Sequence, residues 1–161
     1  MSDTHMPRGT RRLPRECVRR LEEAELILHG GDLVGAAVLE ELRGLAPVEA
    51  VAGNMDEAEL TARLPERRVV EVGGARIGMV HVPGPAAGRA DRLVQSFRGC
   101  GAVVYGHTHV PEVTRVREVW VLNPGSPTER RSAPLHSMLM LEVEAGEIRP
   151  EFVPLSERKR A

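Results

Sequence analysis

The sequence predicts an α/β sandwich built on mixed sheet, and three observations carry that expectation. Short apolar runs of strand length recur along the chain, and several stop at a glycine. Through the first two thirds they alternate with stretches of helical spacing. In the last third, strand-like runs follow one another directly. Alternation alone would give a purely parallel doubly wound sheet, whereas the strand-rich end calls for antiparallel pairs as well.

Taken in order, a helix is expected over residues 14–24, with Pro14 at its start and Val18, Leu21 and Ala24 at helical spacing. ELILH (25–29) is a compact apolar run broken by Gly30-Gly31, which reads as a buried strand. AAVLEELR (36–43) reads as a short helix closed by Gly44. VEAVA (48–52) is a second strand, ended by Gly53. RRVVEV (67–72) and ARIGMVHV (75–82) flank Gly73-Gly74, the pattern of a two-residue hairpin. A helix follows over 89–98, then the strand AVVY (102–105). VTRVRE (113–118), VWVLN (119–123), SMLMLEVEAG (137–146) and EIRPEFVP (147–154) complete the strand-rich end.

The 161 residues suit one domain, 1–161, with a single buried core. No apolar run reaches the length of a membrane span. A net charge of −1 gives no basic field for nucleic acid or an anionic membrane, and 2% aromatic residues offer no stacking platform for single strands. Cys17 and Cys100 are too few and unpatterned for a disulfide framework or a zinc ribbon. MSDTHMPRGTRR lacks the apolar core of a secretory signal, so the expected location is the cytoplasm. Composition leaves open whether the chain forms a homo-oligomer.

The polar residues at strand ends carry the chemistry. SDTH supplies Asp3 and His5, HGGD supplies Asp32, GNMD supplies Asn54, MVHV supplies His81, and GHTH supplies His107 and His109. Each sits where an α/β sheet opens its ligand crevice, beyond the carboxyl ends of strands. In extended backbone, residues two apart point to one side, so D-T-H and H-T-H are each expected to aim two side chains together. Carboxylate, amide and imidazole form the donor set of Mn²⁺, Fe²⁺, Zn²⁺ or Ni²⁺, and are too nitrogen-rich for Ca²⁺ or an ordinary Mg²⁺ site. Seven donors exceed the need of one ion with an open position and suit two ions sharing a carboxylate.

In this order, D-x-H, GD, GN-x-D, a strand-end histidine, GH-x-H and NPGS (Asn123 to Ser126) resemble the calcineurin-like metallophosphoesterase superfamily. The short chain and NPGSPTERR resemble its small bacterial and archaeal phosphodiesterase branch. The resemblance implies a four-layer αββα sandwich with a binuclear centre at its rim. It implies Asp3, His5 and His109 on one metal, Asp32 bridging, and Asn54, His81 and His107 on the other, with manganese the first choice. Asp32 and His107 are the residues expected to carry catalysis. The implied reaction is hydrolysis of a small phosphoester by a hydroxide bridging ions roughly 3.5–4 Å apart.

Three departures accompany the resemblance. Only Met1 and Ser2 precede Asp3, so the family's first strand is missing and Asp3 and His5 are expected on a frayed terminus. Met55 stands where many members have a proton-donating histidine, which implies a preference for good leaving groups. His81 is followed by Val82-Pro83 where relatives often read H-G-H. Among the other polar residues, His29 reads as a hydrogen-bonded core histidine, His136 as an exposed loop residue, and Asp56 as the cap of a following helix. NPGS reads as a tight turn under the site. The rival to an enzyme is a protein-binding scaffold on the same fold, as in a eukaryotic retromer subunit that resembles this family. Met55 and the missing strand lean that way, and the seven donors lean against it.

Overall fold

Apolar side chains of short strands and helices sort the chain into four stacked layers. The computed structural model describes residues 1–7 and 9–155. Its elements are α1 (Arg15–Glu22), β1 (Ile27–His29), α2 (Ala36–Arg43), β2 (Val48–Ala50), α3 (Ala58–Arg63), β3 (Arg67–Val72) and β4 (Ala75–Val80). They continue with α4 (Arg89–Ser96), β5 (Ala102–Tyr105), β6 (Glu112–Val116), β7 (Val119–Asn123), β8 (His136–Glu144) and β9 (Glu147–Leu155). Cys17 and Leu21 of α1, Leu39 and Leu42 of α2 and Leu60 of α3 pack on Ile27, Met138 and Val153, joining the first helix layer to β1, β8 and β9. Val70, Ile77, Met79, Val104 and Leu122 face Leu28, Leu139 and Leu141, so a second apolar layer lies between sheets. Leu93 and Phe97 of α4 cover Val103, Tyr105 and Val121 on the far face. The result is an αββα sandwich.

The larger sheet has the order β3-β4-β5-β7-β6. β4, β5 and β7 run parallel, and β3 and β6 flank them antiparallel, giving the mixed sheet that the strand-rich end implied. β1 pairs with β2 in parallel and β8 with β9 antiparallel. β5 is buried at all four positions, as expected for a central strand covered on both faces. The parallel strands β1, β2, β4 and β5 all deliver their carboxyl ends to one rim.

Some boundaries differ from those expected. The first helix ends at Glu22 and the strand after it starts only at Ile27, because Glu23 to Leu26 form the turn between them. Gly44 ends α2 with φ −68°, in the right-handed region, so it closes the helix without the left-handed cap its identity suggested. His136 is not an exposed loop residue but the half-buried first residue of β8.

The amino terminus is not frayed. Residues 1–6 are all buried and lie alongside β1 and the loop after it. The Met1 ammonium donates to Leu28 O (2.8 Å) and Gly30 N–H to Met1 O (2.9 Å). Asp3, His5 and Met6 N–H donate to Gly31, Asp32 and Leu33 carbonyls at 3.0, 3.0 and 3.1 Å. These bonds hold the segment although it forms only a single bridge, Met6 to Val34, and no strand of its own. Between β1 and β8 lies a cavity of about 620 Å³ lined by Met1, Ile27, Leu28, Met138, Leu139 and Leu141.

Candidate metal centre

The loops that leave β1, β2, β4 and β5 meet the amino-terminal segment at one rim. Five of the seven expected donors adopt left-handed backbone there: Asp3 (φ 57°), His5 (45°), Asp32 (58°), His107 (71°) and His109 (61°). Non-glycine residues take this conformation at a cost of order 1–3 kcal/mol and hold it where surrounding structure demands it. This corrects one expectation. Asp3 and His5, and likewise His107 and His109, do not share a side through the pleat of extended chain. Each has its own left-handed backbone, while Thr4 between the first two meets His29.

Two groups of donors result. Asp3, His5 and His109 form the first: His109 Nε2 lies 3.2 Å from Asp3 Oδ1 and 3.2 Å from His5 Nε2. Asp3, Asp32 and His81 form the second, and Asn54 and His107 adjoin it. Asn54 Oδ1 lies 3.0 Å from His81 Nε2 and 2.8 Å from His107 Nδ1. Asp32 Oδ2 spans the groups, 3.4 Å from His5 Nε2 and 3.3 Å from His81 Nε2. Asp3 belongs to both groups, and its two carboxylate oxygens accept the His107 backbone N–H at 3.1 Å. All seven sequence-predicted residues therefore meet; Asn54 is exposed and His107 half-buried, and the other five are buried.

Tautomers decide what the cluster can hold. His81 Nδ1 donates to Gly30 O at 2.7 Å, so the neutral ring turns a lone pair on Nε2 toward Asn54 Oδ1 and Asp32 Oδ2, which are themselves acceptors. His109 Nδ1 donates to the Glu129 carbonyl, which likewise leaves its Nε2 lone pair facing Asp3. Lone pairs facing lone pairs need protons or cations between them. The ionised Asp3 and Asp32 are buried, and the donor set of oxygen and imidazole fits borderline divalent ions. Burial works against the charge on Asp3, yet the adjoining His109 and His5 imidazoles, with the His81 ring and the Ser2 hydroxyl, outweigh it and hold the carboxyl well below the usual range. Burial likewise opposes ionisation of Asp32, but His81 lowers its pKa. His81 is shifted upward in return, with Asp32 and Asp3 overcoming burial. His107 moves downward, chiefly through burial.

A second set of groups fixes these side chains. His29 is buried, accepts Gly31 N–H on Nδ1 (3.2 Å) and meets Thr4 Oγ1 through Nε2 (3.3 Å), so it is a core histidine and no donor to the cluster. Asp56 does not cap α3, which begins after Glu57 with no side-chain cap. Its two oxygens accept Val34 N–H and Gly53 N–H, both at 2.7 Å, stapling the loop after β1 to the loop after β2. Met55 contributes its backbone N–H to Asp32 Oδ1 (2.7 Å). NPGS does more than turn: Asn123 Nδ2 donates to Gly106 O (3.2 Å) and Thr108 Oγ1 (3.0 Å), and Ser126 Oγ donates to Asp3 O (2.7 Å). Sequence reasoning passed over Glu129 and Arg11. Glu129 Oε2 lies 3.5 Å from His5 Nε2 and Oε1 accepts from Arg11 at 2.7 Å. Its place three residues after Ser126 gave no local sign of this.

Comparison with known proteins agrees with the geometry. Residues 1–146 match the family model described as the calcineurin-like phosphoesterase superfamily domain. A probable metallophosphoesterase of Methanocaldococcus jannaschii is 35% identical over 160 residues, covering 98% of this chain and 80% of that protein. Wild-type Vps29 of Entamoeba histolytica, complexed with Zn²⁺, superposes with a TM-score of 0.74 at 27% identity over 96% of this chain and 97% of its own. A structure described as a novel archaeal phosphodiesterase gives 0.72 at 25% identity over 95% and 97%. With the family model spanning most of its length, the chain belongs to the calcineurin-like phosphoesterase superfamily.

Proposed function

We propose that the protein is a binuclear metal-dependent phosphodiesterase acting on a small phosphoester, with manganese as its working metal. The observation that carries this reading is Asp32 Oδ2, set between His5 Nε2 and His81 Nε2 at 3.4 and 3.3 Å. One oxygen equidistant from two imidazoles suits a bridging carboxylate. Asp3, His5 and His109 would hold one ion, and Asn54, His81 and His107 the other. Two such ions, when bound, supply Lewis acidity and an activated water for in-line attack at phosphorus.

The chain's own residues do the rest. Gly30 O and Glu129 O fix the His81 and His109 tautomers so that Nε2 is the free donor. Met55 N–H and the Asp56 staple orient Asp32. His107, half-buried at the mouth, is the imidazole best placed to meet an arriving phosphoryl oxygen. Met55 carries no proton for a departing alkoxide, which favours esters with stable leaving groups.

The test is hydrolysis of bis(p-nitrophenyl) phosphate by the purified protein with Mn²⁺, together with metal content. The expected result is turnover and about two ions per chain, both lost in Asp32→Asn. Turnover unchanged in Asp32→Asn would remove the bridging role. The scaffold reading draws on Met55 and the likeness to Vps29; it predicts no turnover of the ester even in protein loaded with metal.

A further inference from the structure

Around His5 Nε2 the structure gathers four donor atoms. His109 Nε2 lies at 3.2 Å, Asp32 Oδ2 at 3.4 Å, Glu129 Oε2 at 3.5 Å and Asp3 Oδ1 at 3.8 Å. Ligands at right angles around an ion with bonds of 2.0–2.2 Å stand about 3 Å apart. Glu129 Oε2 thus stands about as near to His5 as Asp32 does and nearer than Asp3, at the edge of the tighter Asp3–His5–His109 group. Its backbone is anchored from both sides: the Glu129 N–H donates to Ser126 Oγ (2.8 Å), and its carbonyl accepts from His109 Nδ1. The same residue therefore orients one imidazole of the first group through its main chain and reaches that group's other imidazole through its side chain. The other carboxylate oxygen is held by Arg11 Nη2 at 2.7 Å, and Arg11 Nη1 reaches the His5 carbonyl at 3.4 Å. Arg11 and Glu129 are both half-buried, so the pair borders the first group at the protein surface.

We propose that the Glu129 carboxylate is a further ligand of the ion held by Asp3, His5 and His109, shared between that ion and the Arg11 guanidinium. The inference rests on the metal-centre reading above. A third carboxylate beside Asp3 and Asp32 makes the first site harder and more anionic, which favours Mn²⁺ over the softer preferences of Zn²⁺. Arg11 competes for the same carboxylate, so the ion pair sets how much of that charge the metal receives.

Mn²⁺ binding, followed by calorimetry and by the loss of the free-ion electron paramagnetic resonance signal, tests this in wild type, Glu129→Gln and Arg11→Gln. Glu129→Gln is expected to weaken one of the two Mn²⁺ sites about 10- to 100-fold, and to weaken Zn²⁺ less. Arg11→Gln frees the carboxylate and is expected to tighten the same site. An ion pair that only stabilised the fold would move both variants in one direction and both metals alike, and that result overturns the proposal. So does Mn²⁺ affinity in Glu129→Gln equal to wild type while wild type binds two ions, a result that leaves the metal centre standing. Wild type that binds no metal overturns both readings. Glu129→Asp, which keeps the charge on a shorter stem, is expected to fall between wild type and Glu129→Gln, and it replaces the glutamine variant should that not fold.

Discussion

His29 shows how a residue outside the donor set can govern it. Gly31 N–H occupies Nδ1, so Nε2–H donates to Thr4 Oγ1, whose hydroxyl points on toward the Asp32 carbonyl at 3.5 Å. The ring must stay neutral for this, and burial lowers its pKa to about 3 from 6.5. Between those values the unfolded chain binds a proton that the folded chain refuses, so stability rises with pH from about 3 to 6.5. The difference is roughly 3 kcal/mol between pH 4 and pH 7. Urea midpoints of chelator-treated protein should rise over this range, and His29→Gln should flatten the slope; an unchanged slope would remove His29 as its source. Met55 poses the complementary case. Its N–H serves Asp32 while its side chain is 37% exposed and inert. Met55→His is expected to raise turnover of alkyl esters about 100-fold, the lower end of the range for general acid help, with little gain on p-nitrophenyl esters. Equal gains on both would argue against proton donation.

At the level of elements, the centre is built from loops whose backbones nearly touch. A β-carbon on Gly53 would collide with the Asp32 backbone and carboxylate, and one on Gly106 with Ser2 Oγ and with Asp3 Oδ2 at 2.8 Å. The loop after β2 is thus pressed against Asp32, and the loop after β5 against the amino-terminal segment. Gly53→Ala should cost about 1–3 kcal/mol by overpacking and displace Asp32, weakening both metal sites at once. Calorimetry would check this; normal two-site binding in the folded variant would show that the loop can yield. The sequence marked these glycines only as strand ends, because the neighbour that forbids a side chain lies on another loop.

At the scale of the whole molecule, a cavity of about 620 Å³ opens between β1 and β8. Apolar residues such as Ile27, Leu28, Met138 and Leu139 line it together with charged ones such as Glu25 and Arg149, and Met1, whose buried ammonium has its pKa lowered by burial to about 6, borders it. Chain continued backward from Met1 would run beside β1, whose hydrogen-bonding direction the first residues already follow. Adding five alternating Val and Ile residues ahead of Met1 should therefore pair with β1, fill the space and remove the buried charge. A gain of about 5 °C or more in melting temperature is expected, since 1 kcal/mol shifts a domain of this size by about 2–4 °C. A serine-asparagine extension of the same length should give none; equal effects would show that the cavity does not accept a strand.

The sequence by itself determined the fold class, the order of elements and the seven polar residues that reach the rim, because each of these is written locally. A strand that stops at a glycine releases its next polar residue at the rim, and this holds for Asp32, Asn54 and His107 alike. Tertiary structure decided what no local pattern carries. His5 meets His109 across 104 residues and Ser126 meets Asp3 across 123. Such contacts depend on how layers stack, and so do the left-handed turns at the donors, the buried terminus, the Asp56 staple and the approach of Glu129. Local sequence encodes which groups reach the rim; packing sets the distances between them, and those distances determine what the cluster can bind.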